Sequence, residues 1–563
     1  MRQRFLKEFD KLWLDCMNGD SRETGKVTLD GEPDPSVFST EQTSVGIRKG
    51  TAICVIVRKE SREKNPVVRF RHFWGATKRR DVLESLNTKR FDDAYTIAKP
   101  NKENRFSFRP ENVSAAYNSW VNIDALCDFN PTLGILDNRK EALISVDKDN
   151  LIERVKKYLD PNIPLHELKN DIPELVRNYA RFNAAQARKK ILKTELYNYE
   201  NIRRVCTHPM DIRWCYYTSV RPIWTETRPQ YFEQCWEGNT TLISRRQGNA
   251  NPEGSPFFFS SVIGMQHCLR TDAYYFPIRL TSATKVNKRQ NLMFDDYSKK
   301  ANLSVAARRY LTTLGLKNPD DNAEHAGMIW MHALAIGCSP AYLNENADGI
   351  RRDWCRMPLP DMREALEKSA ELGRTIAALL DTESDVTGVT SGSVEMIYKT
   401  LGNPSKVDGG SLNLNAGDLA VNAGWGFLGG KGETMPAKGR TVQRPYTKEE
   451  LDVIADAARS RGLSQKEALL LLGAETMDIY LNDRAYWKNV PVNVWEYYIG
   501  GYQVIKKWLS YREEKLLGRA LKPEEVREVQ KMVRRLTAIV LMQPSLDINY
   551  HNVAENAYKL VKE

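Results

Sequence analysis

The spacing of apolar positions along this chain changes several times, and each change marks an element. Near the amino end Phe5, Phe9 and Leu12 recur at helical spacing. Residues 1–12 therefore predict a short amphipathic helix, followed by a buried strand at Leu12-Trp13-Leu14 and a loop from Asp15 to Asp20. Residues 21–44, rich in Gly, Pro, Thr and Asp, predict loop. The run Thr51-Ala-Ile-Cys-Val-Ile-Val57 does not alternate, which is the pattern of a strand covered on both faces in an α/β sheet. A further strand is expected at 67–73 and a helix at 77–87, then short strands and loops over 90–145. Helical stretches follow at 149–159 and 171–196, the second carrying Arg177, Arg181, Arg188, Lys189, Lys190 and Lys193.

Residues 200–290 are aromatic-rich and strand-like, and helices are expected at 301–315, 322–337 and 361–381. In the last of these Leu366, Ala370, Gly373, Ala377 and Leu380 form one apolar stripe. Twelve of the 33 glycines lie between 388 and 439, so that segment predicts loop or linker, although Ala420, Val421, Trp425 and Phe427 call for packing. Thr447-Lys-Glu-Glu450 has the form of a capping box. Pro523-Glu-Glu opens a long final helix with Val526, Val529, Val533, Leu536 and Val540 on one face.

At 563 residues the chain is too long for one core, and about three domains are expected. The excess of 83 Lys+Arg over 72 Asp+Glu, net +11, suits a polyanionic partner. No apolar run approaches the ~20 residues of a membrane span, so a cytoplasmic protein without membrane contact is expected. The nine cysteines form no C-x-x-C pair and the histidines no H-x-x-x-H pair, so neither a disulfide framework nor a metal site is expected.

Three places hold candidate chemistry. Gly46-Ile-Arg-Lys-Gly50 precedes the apolar run at 51–57 and fits either a plain hairpin or a phosphate contact. The stretch 203–246 gathers Arg203, Arg204, Arg213, Trp214, Tyr216, Tyr217, Arg221, Trp224, Arg228, Arg245 and Arg246. Clustered Arg residues repel unless an anion faces them, and Arg suits both phosphate and guanine edges; the aromatics fit a β-rich core as well as base stacking. The expected DNA contacts are Arg213, Arg221, Arg228, Arg245, Arg246 and Tyr217, with Lys189 and Lys190 from the basic helix near 177–193. Gly429-Gly-Lys-Gly432 lacks the frame of a phosphate-binding loop around Lys431 and is expected to be a structured loop.

Several phrases carry a family resemblance. Phe9-Asp-Lys-Leu-Trp-Leu-Asp15, Leu29-Asp-Gly-Glu-Pro-Asp-Pro35 and Phe73-Trp74-Gly75 resemble the later strands of a gamma-class amino methyltransferase. His208-Pro-Met-Asp-Ile-Arg213-Trp214, Gly238-Asn239, Tyr274-Tyr-Phe-Pro277, Ser339-Pro-Ala-Tyr-Leu343, Gly424-Trp425-Gly426 and Leu509-Ser-Tyr-Arg512 resemble the target-recognition region that follows. The chain is thus similar over nearly its whole length to the carboxy-terminal half of Type ISP restriction-modification enzymes and of DISARM-like adenine-specific DNA methyltransferases.

That resemblance implies an α/β fold, a partial methyltransferase sheet at the amino terminus, followed by mixed α+β DNA-recognition domains with a helical carboxy-terminal part. It implies the end of a methyltransferase domain at 1–90 and a connecting region at 91–200. A target-recognition domain would follow at 201–382, a Gly-rich linker at 383–445 and a helical part at 446–563. It implies double-stranded DNA as partner and S-adenosylmethionine as cofactor. Yet no [Asn/Asp/Ser]-Pro-Pro-[Tyr/Phe] loop, which would hold a flipped adenine, occurs in the sequence, nor does a Gly-rich cofactor turn. The expectation is that a partner chain, or a missing amino-terminal half, supplies both, and that this chain alone is inactive. A non-catalytic scaffold subunit and a complete methyltransferase with an unfamiliar catalytic loop are the alternatives.

Overall fold

The computed structural model describes all residues except 21–25, 29, 31, 41–45, 48, 103, 180, 249–251, 282–298, 431 and 560–563. They divide into two units: Met1–Ser119 with Gln247–Glu253 and Asn346–Cys355, and Trp120–Arg246 with Gly254–Glu345 and Arg356–Glu563.

In the first unit α1 (Arg2–Glu8) lays Phe5 and Phe9 on a small core of Leu12, Val68 and Ala98. These core residues lie on β1 (Lys11–Cys16), β3 (Val67–His72) and β4 (Thr96–Ala98); β2 (Ala52–Val57) completes the sheet, in the order β2-β1-β3-β4. β1 runs parallel to β3 and antiparallel to β2. The helix expected at 77–87 is α2 (Lys78–Ser85). One expectation fails: the unalternating apolar strand β2 is covered on neither face, and all six of its residues are exposed. It lies at the sheet edge, and among the described residues it pairs only with β1.

Beyond the carboxyl ends of β1 and β3 the backbone amides are already satisfied. Asp34, fully buried, accepts from the Gly19 amide at 2.7 Å, the Gly75 amide at 2.8 Å and the Lys78 ammonium at 2.5 Å. Ligands of α/β sheets sit in that crevice. Here the Asp34 carboxylate occupies part of it. Arg48, one of the two cations of the Gly46–Gly50 segment, for which a plain hairpin and a phosphate contact both stayed open, lies outside the described residues.

The second unit contains three four-stranded sheets. One is antiparallel, ordered Phe257–Ser260, Thr241–Ser244, Tyr274–Pro277, Thr132–Leu133. The next is ordered Ile263–Gly264, Ile202–His208, Asp211–Tyr216, Ile144–Ser145. The third, Asn403–Lys406, Ala485–Pro491, Glu475–Tyr480, Thr441–Pro445, takes its first strand from the Gly-rich segment. That segment is built into the unit: Trp425 is fully buried and its indole donates to the Tyr480 carbonyl at 2.8 Å. Lys431 lies outside the described residues.

Helix Ala323–Gly337 is buried along nearly its whole length and packs on Arg363–Leu380. The approach is so close that a Cβ at Gly373 would stand 1.8 Å from the Met331 carbonyl oxygen, which explains the glycine in the apolar stripe. The capping box at Thr447 is present, and Pro523–Glu555 forms the long final helix with its valine face inside.

The helical stretch expected at 171–196 is two helices, Pro173–Val176 and Ala184–Thr194. Two asparagines break it. The Asn178 side chain accepts from the Ala184 amide at 2.9 Å, and that of Asn183 accepts from the Gln186 amide at 2.9 Å, restarting the helix. Among the described residues no helix is long and apolar enough to cross a membrane.

Candidate nucleic-acid interface

The hairpin Ile202–His208/Asp211–Tyr216 turns tightly through Met210, whose φ of 59° lies in the left-handed region. The turn carries Asp211 into the interior, where it is fully buried. Its carboxylate meets the Arg213 guanidinium at 2.6 Å, the Arg512 guanidinium at 2.7 Å and the Thr207 hydroxyl at 3.0 Å. Arg213 also reaches Glu141 at 2.6 Å and stacks over Tyr511 at 4.2 Å. Burial alone would raise the Asp211 pKa, but the two guanidiniums overcome it and hold the carboxyl well below the usual range. Arg213 is held above its ordinary value against burial by Asp211 and Glu141.

Two carboxylates and two guanidiniums already balance, so the buried Lys507, with its ammonium 4.7 Å from the Tyr511 ring centroid, adds a surplus cation. Burial, aided by Arg213, lowers its pKa to about 8. The folded protein sheds this proton near pH 8, whereas the unfolded chain keeps it to about pH 10.4. The lysine's cost is therefore full below pH 8 and fades as pH rises toward 10. Lys507→Met is expected to stabilise the protein by about 1–3 kcal/mol at pH 7. That advantage should shrink by pH 10, as read from urea unfolding of both proteins across the range; an advantage independent of pH would contradict this account.

The cluster corrects part of the sequence reading. Arg213, 2% exposed, and Tyr217, stacked on Phe232 at 3.7 Å with its hydroxyl on the Thr227 carbonyl at 2.9 Å, are interior residues. Arg245 is buried as well and donates to the Gly500 carbonyl at 2.9 Å. None of the three presents a surface to DNA. The anion that clustered arginines require is supplied here by the protein's own carboxylates. Tyr216 and Trp224 are core, while Trp214 is half-buried between Lys148 at 4.3 Å and Arg204 at 4.6 Å.

Of the other expected residues, Arg221, Arg246, Lys189 and Lys190 are exposed and Arg228 is half-buried. Arg246, next to the buried Arg245, is exposed. Arg221 and Arg228 share one carboxylate, Glu226, with Arg228 at 3.4 Å, so the trio keeps a net positive charge. Lys189 and Lys190 are exposed on helix Ala184–Thr194, whose opposite face buries Ala184, Ala187, Arg188 and Ile191. The Lys190 ammonium donates to the Arg221 carbonyl at 2.7 Å, tying the helix to the loop that carries Arg221. The structure thus brings Lys189, Lys190 and Arg221 to one place. Sequence reasoning could not separate these cations from the buried ones, because both kinds occur in the same aromatic, basic stretch. It also missed Lys507, more than 290 residues away from Asp211 in sequence.

The second unit is thus a mixed α/β scaffold with cations displayed on its loops and on one helix. The chain belongs to the Type ISP C-terminal specificity domain family, which matches residues 130–538. No curated protein matches the sequence. Among solved structures it is similar to the ATP-dependent Type ISP restriction-modification enzyme LlaBIII bound to DNA, with a TM-score of 0.57 and 12% identity over 98% of this chain and 31% of that one. It is also similar to a nuclease-deletion mutant of the Type ISP enzyme LlaGI in complex with a DNA substrate mimic, with a TM-score of 0.56 and 13% identity over 100% of this chain and 45% of that one. The DrdV–DNA complex matches with a TM-score of 0.56 and 14% identity over 97% of this chain and 48% of that one. The chain spans between about a third and a half of the length of these structures.

Proposed function

We propose that this chain recognises double-stranded DNA and positions its site for adenine-specific, S-adenosylmethionine-dependent methylation in a restriction-modification or phage-defence system. The observation that carries the reading is the match of the specificity-domain family to residues 130–538. It is supported by the three similar structures, each of which contains DNA. The exposed cations Arg221, Arg246, Lys189 and Lys190, with the half-buried Arg228, are the residues assigned to contact it.

Cofactor binding and methyl transfer are assigned to a partner chain or to an amino-terminal half of the methyltransferase that these 563 residues do not include. The motifs for both are absent from this sequence, and Asp34 occupies part of the sheet crevice. The exposed strand β2 is the surface through which either would join.

The test is a binding titration of purified chain on cognate and scrambled duplexes at two salt concentrations. An outward Arg that holds phosphate, replaced by Ala, should weaken both duplexes and flatten the salt slope by about one unit. One that reads a base should cost ~1–3 kcal/mol on the cognate duplex alone. Arg245→Ala should instead lower stability. Labelled S-adenosylmethionine added to the same mixtures should transfer no methyl group. Binding indifferent to salt, or unchanged in all the outward variants, would overturn the reading.

A further inference from the structure

Residues 175–194 hold six cations, Arg177, Arg181, Arg188, Lys189, Lys190 and Lys193, and no Asp or Glu. Arg188 is buried and spent on the Tyr158 carbonyl at 2.9 Å and the Asp160 carbonyl at 2.7 Å. The other five are exposed, and among the described residues none has a carboxylate within ion-pairing distance. The acidic residues that bracket the segment in sequence are engaged elsewhere. Glu174 pairs with Lys140 at 3.2 Å, and Glu195 accepts from the Tyr216 hydroxyl at 2.8 Å and the Thr218 hydroxyl at 2.6 Å. Helix Lys148–Leu159 in the same unit behaves differently: its Lys157 meets Glu153 at 3.1 Å and Asp171 at 2.7 Å. A helix face with unneutralised like charges is destabilised by their repulsion.

Beside this face is an open recess of about 600 Å³, with Arg181 and Lys190 among its lining residues and Asn183, Gln186, Phe182 and Pro222 between them. Behind Phe182 lies Arg139, only 8% exposed, its guanidinium 4.2 Å from the ring centroid. Arg139 has no ion pair among the described residues, its Nε has no hydrogen-bond partner, and its contact to the Pro222 carbonyl is long, at 3.4 Å. The Asp137 carboxylate acts on this guanidinium only from beyond ion-pair distance, and a further anion nearby would lower the cost of burying it. The recess also lies at the amino end of the 11-residue helix Ala184–Thr194, whose first turn contains no acidic residue and whose dipole adds to the same field.

We propose that this recess and the adjoining face of helix Ala184–Thr194 are a seat for the sugar-phosphate backbone of duplex DNA. Arg181 and Lys190 would grip at the recess, and Lys189 and Lys193 would extend the grip along the strand. At ~1.5 Å rise per residue these two lysines stand about 6 Å apart along the helix axis, so each can meet a different phosphate. The seat reads no sequence: it has cations where phosphates are, and it fixes register for base contacts made elsewhere in the module. The inference rests on the DNA-binding reading above and adds where, and through which part of the duplex, the chain holds it.

The experiment uses the whole chain and a duplex of random sequence. Arg181, Lys189, Lys190 and Lys193 are replaced together by Gln, which keeps helix propensity. Affinity at ~0.1 M salt should fall at least tenfold, and the slope of log affinity against log salt should shrink by about two to four units. A second variant, Gln186→Glu, controls for folding. An acid in the first helical turn favours the helix, so its melting temperature should stay level or rise. The same carboxylate faces the recess and should weaken duplex binding several-fold. Opposite signs in stability and binding are not expected of a merely structural role. Unchanged affinity and slope in both variants, while the parent chain binds, overturn the seat and leave the DNA reading standing. A parent chain that binds no duplex overturns both. Protection of Lys189 and Lys193 from acetylation by polyglutamate but not by duplex assigns the face to an acidic protein and also overturns the proposal.

Discussion

Asp211→Asn is expected to cost about 3–5 kcal/mol of stability, the range for removing one partner of a buried ion pair. The substitution is almost isosteric, so packing hardly changes. What changes is charge: Arg213 and Arg512, both about 1% exposed at the side chain, lose the carboxylate that lies 2.6 and 2.7 Å from them, and among the described residues Arg213 alone keeps another within ion-pair distance, Glu141. Asp211 and Arg512 are 301 residues apart, so this ion pair joins the early hairpin to the late helical part of the same unit. The pH dependence has a definite sign. A carboxyl held below its ordinary pKa contributes stability above about pH 4, and that contribution is lost as pH falls toward the folded value. The parent protein should therefore lose this stability on acidification, and the variant, having none of it, should show a flatter acid limb. Urea unfolding at pH 7 and at steps from about pH 4 down to about pH 2 measures both. A loss under 1 kcal/mol at pH 7 would mean that water or relaxation compensates the two guanidiniums.

The paired substitution Val55→Lys with Ile56→Lys is expected to change association strongly and stability little. Ile53, Val55, Ile56 and Val57 are 45%, 54%, 37% and 37% exposed, and neighbouring positions on β2 point to opposite faces of the sheet. An apolar edge strand bare on both sides is a template for another strand. Burying such side chains is worth roughly 1.5–3 kcal/mol each, enough to outweigh the cost of association when several are covered together. The isolated chain should therefore associate as concentration rises, and the double lysine variant should stay monomeric. Both should melt at nearly the same temperature, because exposed positions contribute within about 0.5 kcal/mol. Sedimentation across a concentration series decides it. A parent chain that remains monomeric, with β2 resistant to protease, removes the argument that this strand awaits the rest of a methyltransferase sheet.

The features legible in the chain are mostly local. The three helices of 301–381, the capping box at Thr447 and the Pro523 helix come within a few residues of their expected bounds, because period and caps are set by neighbours in the chain. The family was legible too, in phrases spread over nearly the whole length. The broken helix at 177–183 lay at the limit of that reading: Asn178 and Asn183 were visible, but helix interiors tolerate asparagine at small cost, so their use as caps was not.

Which charges face water follows from how distant segments pack together. Arg213 and Arg245 look in sequence like Arg221 and Arg246, yet the first two are buried and the others exposed. The difference comes from partners distant in the chain: Arg213 is held within a cluster that includes Arg512 and Lys507, and Arg245 by the Gly500 carbonyl. Likewise β2 has the composition of a buried strand, but burial needs something to lie against it, and the fold places it at an edge. Burial and ion pairing depend on which segments meet in space, and a pattern confined to a few neighbouring residues carries no information about that meeting.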